Sequence, residues 1–165
     1  MNKSYKVIDD KIFYLNTETN CTKVTDGGSK NIEFIWKIPS ITIDEFAKLR
    51  VFTCQHTATT DTDHVGKILS FRLKNVLFNP STYYSSDNTQ YPLIFSGTFT
   101  SEATYWNSDF SGITIIPQTI NAISIVVSDS LTSQTSGIST NLSFVIGMNI
   151  QQYDLKLSEI NNPYR

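Results

Sequence analysis

Short segments in which apolar and polar residues alternate with a period of two recur along this chain. They constrain its fold more than any other feature. Asn31 to Ile38, NIEFIWKI, puts Ile32, Phe34, Trp36 and Ile38 on one side and Glu33, Ile35 and Lys37 on the other. That pattern makes a strand with one face on a core and the other half solvated. Gly66 to Asn79, GKILSFRLKNVLFN, gathers Leu69, Phe71, Leu73 and Leu77 on one face, with Asn75 as the exception. Tyr91 to Thr100, Ile113 to Ile116, Ile120 to Ser128 and Asn141 to Ile150 read as further strands, and Tyr153 to Leu157 as a last short pairing. Pro39 and the Asn79-Pro80 step are expected to end strands, because proline cannot donate to a central ladder.

One segment reads differently. In Thr42 to Arg50, TIDEFAKLR, Thr42 and Glu45 have the spacing of a capping box, and the residues after them predict a helix of two or three turns. Residues 1–30 alternate poorly and read as an N-terminal arm or irregular strands, closed by the Asp26-Gly27-Gly28-Ser29 turn. Residues 31–157 form the sandwich domain in this reading, and 158–165 a polar tail. Seven to ten strands with no regular strand–helix alternation exclude a doubly wound α/β fold. The expected class is all-β, an antiparallel β-sandwich or small barrel with Greek-key connections, one short helix and an irregular N-terminal segment.

Composition supports that class and excludes others. The chain has 165 residues, enough for one well-packed domain. It holds 19 Ile but 4 Ala, and 52 residues are Ser, Thr or Asn. Ile and Thr favour strands over helices. Charged residues make up 17% and the net charge is −2, so no nucleic-acid partner is expected. No apolar run reaches the length of a membrane span, and MNKSYKV is too polar to read as a signal peptide. With no export signal, Cys21 and Cys54 are expected as buried thiols rather than a disulfide.

Few residues carry a chemical signature. Cys54, His56 and His64, with Asp61 and Asp63 between, are zinc-compatible donor types in the spacing C-x-H-x7-H. That spacing matches no zinc signature, and a strand here is read as setting Cys54 and His56 on opposite faces. No metal site is therefore assigned. The acidic loop residues, including Asp87 and Asp109, fit turn chemistry as well as calcium. There is no G-x-S-x-G elbow and no nucleotide-binding glycine motif, so neither an enzymatic activity nor a cofactor is expected. Tyr83, Tyr84, Tyr105, Trp106 and Phe110 fall in or near loops, and Tyr164 and Arg165 in the tail. Aromatic and arginine side chains are enriched in protein interfaces, which makes these seven the interface candidates. Tyr83, Tyr84, Tyr105 and Trp106 also suit a sugar-stacking platform.

Three segments together resemble a known group. KILSFRLKNVLFNP at Lys67 to Pro80, INAISIVVSDS at Ile120 to Ser130 and NLSFVIGMNI at Asn141 to Ile150 are similar in texture and order to the small jelly-roll structural proteins of large icosahedral double-stranded DNA viruses, above all the minor capsid proteins of algal and giant viruses. The resemblance spans Gly66 to Asp154 and leaves out the N-terminal 30 residues and the expected helix. It implies a jelly-roll sandwich that is made in the host cytoplasm and ends in the virion. There it would pack against a major capsid protein, other structural proteins or copies of itself. Two other readings stand beside it: a carbohydrate-binding sandwich module, and a metal-dependent enzyme using Cys54, His56 and His64.

Overall fold

The structure is a computed structural model describing residues 6–25, 31–56, 66, 68–74, 92–98, 105–106, 113–129 and 142–154. Ten strands make up most of these residues: β1 (Lys6–Asn16), β2 (Cys21–Thr25), β3 (Asn31–Ile43), β4 (Phe46–His56), β5 (Ile68–Leu73), β6 (Leu93–Thr98), β7 (Tyr105–Trp106), β8 (Ile113–Ile115), β9 (Gln118–Asp129) and β10 (Phe144–Asp154). They form two sheets. Sheet I has the order β1-β10-β4-β7, with β8 also on β4, and sheet II the order β2-β3-β9-β5-β6. Every pairing is antiparallel.

β7 and β8 lie along the same edge of β4, opposite Cys54–Gln55 and Ala47–Leu49 respectively. Counting them as one position and setting aside β2, which only extends sheet II, leaves eight strands. In chain order sheet I then reads 1-8-3-6 and sheet II 2-7-4-5. This is the double Greek key of a jelly roll. The all-β antiparallel sandwich expected from the alternation is what the chain forms.

The core lies between the two inner faces. Ile32, Phe34 and Trp36 of β3 and Leu69, Phe71 and Leu73 of β5 are buried, as their alternation requires. Phe144 of sheet I is the centre of the packing. Its ring meets Phe34 at 4.9 Å, Phe71 at 5.1 Å and Trp36 at 6.1 Å, each edge to face. Such rings attract through their quadrupoles as well as by excluding water. Trp36 Nε1 donates to the Asn16 carbonyl at 2.8 Å, tying sheet II to the end of β1.

Three expectations are corrected. The helix over Thr42–Arg50 does not form. Instead Ile41 and Ile43 end β3, Asp44 and Glu45 turn the corner between the sheets, and Ala47, Leu49 and Val51 continue the buried side along β4. Alternation runs through this corner, and burying five apolar side chains outweighs one local cap. Thr42 Oγ1 lies 3.4 Å from Thr119 Oγ1 of its neighbour strand. Pro39 does not end β3. The register with β9 shifts between Lys37 and Ile41, so Pro39 sits in a bulge where no ladder donor is needed. Residues 6–25 are not irregular: β1 pairs with β10 along its whole length and β2 with β3.

Candidate functional site

Of the interface candidates, Tyr83, Tyr84, Phe110, Tyr164 and Arg165 lie outside the described residues. Tyr105 and Trp106, expected in a loop, form β7, with Gln55 and Cys54 as their register partners. The candidate metal donors resolve in part. His64 lies outside the described residues. Cys54 and His56 are two residues apart on β4, and residues two apart on a strand share a face. Both therefore point inward, not to opposite sides, and both are fully buried. Among the described residues no three His, Cys, Asp or Glu side chains gather.

The two cysteines are free thiols, Cys21 on sheet II and Cys54 on sheet I. Burial pushes the Cys54 thiol well above its ordinary range. Burial also pushes Cys21 up to about 11, against a smaller lowering by a backbone hydrogen bond with Ile35. Neither is a thiolate at neutral pH, the form needed for nucleophilic attack or metal binding.

What the sequence reading missed is the outer face of sheet I. Side chains opposite one another in register share a face, which arranges this surface in rows across β1, β10 and β4. Asp10, Gln151 and Lys48 form one row; Ile12, Asn149 and Arg50 the next; Tyr14, Gly147 and Thr53 a third. Tyr14 is 68% exposed, Ile12 57% and Phe52 43%. Val7, opposite Tyr153 at one end of the face, is exposed as well.

Gly147 makes the third row possible. The β10–β4 register skips Phe52, which bulges beside Thr53 so that both crowd the single residue opposite. A Cβ on Gly147 would lie 2.6 Å from Phe52 Cε2 and 2.6 Å from Thr53 Cγ2. With glycine there, the Tyr14 and Phe52 rings meet across β10 at 5.8 Å, edge to face at 86°. At the first row Asp10 accepts from Asn149 Nδ2 at 3.1 Å and Gln151 Nε2 at 3.3 Å. Lys48 Nζ lies 5.9 Å from the Tyr153 ring centroid. The face is thus apolar and aromatic along one end, acidic on its β1 side and basic on its β4 side.

The outer face of sheet II leaves Val24, Ile68 and Leu93 exposed on β2, β5 and β6, but these are single apolar residues with no ring pair among them, and its centre is buried. On its central strand, Ser124 and Val126 are only 2% exposed. Glu33 accepts from Ser124 Oγ and pairs with Lys74 Nζ at 2.7 Å. The signal for the sheet I face was present in KIFYLN at 11–16, where Ile12 and Tyr14 alternate with Phe13 and Leu15. Apolar residues on both sides of a strand mark two contact faces.

The fold is a jelly-roll sandwich whose sheet I leaves Ile12, Tyr14 and Phe52 exposed together on its outer face. No family model matches the chain. No curated protein matches it. Among solved structures it is similar to the chain of the infectious bursal disease virus VP2 subviral particle, with 12% identity, a TM-score of 0.41 and 89% of this chain covered. This chain spans 34% of the length of that one.

Proposed function

We propose that this chain is a structural component of a virus particle, a minor capsid protein that packs against a major capsid protein or copies of itself. The observation that carries the reading is the open face of sheet I, with Ile12, Tyr14 and Phe52 exposed on a complete jelly roll. Exposed aromatic side chains in a cluster mark association surfaces. The resemblance of the segments between Gly66 and Asp154 to viral jelly-roll proteins supplies the kind of assembly. The surface chemistry agrees: few charges and many hydroxyl and amide groups mean that little ion desolvation opposes contact. The protein acts by shape, burial and hydrogen bonding. The reading includes no catalytic step, cofactor, nucleic-acid contact or membrane span. It places the chain in the virion after synthesis in the host cytoplasm.

Sedimentation of purified particles tests this. The chain is expected to travel with the particle band and to stay there after a high-salt wash, because its contacts are mostly uncharged. Its recovery only at the top of the gradient, with the soluble proteins, would contradict the assignment.

A further inference from the structure

We propose that the outer face of sheet I seats a second copy of this chain, in a two-fold dimer whose axis runs parallel to the strands above β10. The proposal deepens the structural reading above and rests on it for its biological use; the association itself is a property of the chain alone.

The argument is one of self-complementarity. A two-fold axis along β10 lays β1 of one copy over β4 of the other while keeping the rows aligned. Asp10 then faces Lys48 of the second copy, Ile12 faces the stem of its Arg50, and Tyr14 faces its Phe52. Symmetry repeats each contact on the other side. Acidic side meets basic side twice, and the aromatic ends coincide. An axis across the strands instead lays β1 over β1 and reverses the order of the rows, so that Asp10 no longer meets Lys48 and Tyr14 no longer meets Phe52. The face therefore selects one arrangement.

Two further observations favour the face over the edge. Among the described residues β1 is an edge strand of sheet I, and its rim carries Asp9 and Lys11 together with a bulge between Val7 and Asp9. Charges and bulges on an edge block strand-to-strand addition. The face has no such guard at Ile12 and Tyr14. Its area fits a weak, reversible pairing, below that of a standard interface. Three strands spaced about 4.8 Å apart and about 36 Å long give a plan area of about 500 Å² before side-chain relief. A stable interface takes about 800 Å² of accessible surface from each partner.

Sedimentation velocity on the full chain, from about 1 μM to about 1 mM, spans the affinities expected of an interface this size. The expected result is a concentration-dependent dimer. Asp10→Lys and Lys48→Asp should each weaken it about tenfold or more, because each sets like charges opposite one another twice. The double variant restores the opposite signs and should recover most of the loss. Tyr14→Ser, which leaves the charges in place, should weaken it as well. All three positions are exposed, so circular dichroism melts should show folded variants. A chain that stays monomeric throughout, or a dimer indifferent to the single charge changes, overturns the proposal. So does a double variant no tighter than its singles. Any of these results leaves particle association standing, since that is read separately by the particle gradient. Loss of the chain from the particle band likewise leaves the dimer in place.

Discussion

At Gly147 a single missing methyl group shapes the candidate surface. A Cβ there would meet Phe52 and Thr53 at 2.6 Å, well inside contact distance. The exposed Phe52 ring can give way, but the Thr53 methyl sits on a stiff β-branched side chain with little room to yield. Gly147→Ala should therefore cost about 1–3 kcal/mol, the usual price of overpacking, read as a lower urea midpoint. An unchanged midpoint would show that the bulge yields easily. The cysteines give a second residue-scale prediction. Both thiols are raised above their ordinary value of 9.0 by burial. The unfolded chain therefore loses these protons first as pH rises. Their contribution to stability is complete below about pH 9 and declines above it, for Cys21 through about 11. Stability measured between pH 8 and 11 should fall less steeply in Cys21→Ser than in the parent chain. Parallel pH curves would argue against burial as the cause.

Among the elements, β3, β5 and β9 were readable because each buries one or both faces in the sandwich, so alternation or a continuous apolar run marks it directly. Ile32, Phe34, Trp36, Leu69, Phe71 and Leu73 all face the core. The corner at Asp44–Glu45 was misread because a four-residue cap pattern was weighed above the eleven-residue alternation from Ile41 to Val51. Secondary structure followed tertiary burial there. Thr42→Ala separates the two readings. Removing a helix cap costs about 1 kcal/mol, whereas an exposed strand residue changes stability by less than about 0.5 kcal/mol. Chemical denaturation should give the smaller value; a loss near that of a missing cap would contradict the strand. β1 was misread for another reason. Ile12 and Tyr14 blur its alternation, and the same two residues form the candidate surface. Paired spacing could locate Cys54 and His56 on one inner face, but nothing in one segment shows that β1 and β4 flank β10. The rows joining Asp10 to Lys48 and Tyr14 to Phe52 exist only after folding brings together strands some 40 positions apart.

At the scale of the whole molecule, the two sheets divide the work. Sheet II buries Ser124 and Val126 on the outer side of its central strand, while sheet I leaves the Tyr14–Phe52 ring pair exposed beside a row that runs from Asp10 to Lys48. The Ser, Thr and Asn content suits a body that lies close to neighbours without stripping many ions of water. Hydroxyl-radical footprinting, read by mass spectrometry, tests most directly that this face is the contact surface. Tyr14 and Phe52 should react readily in the dilute free chain and become strongly protected in the particle. Equal reactivity of both rings in the free chain and the particle would contradict the account.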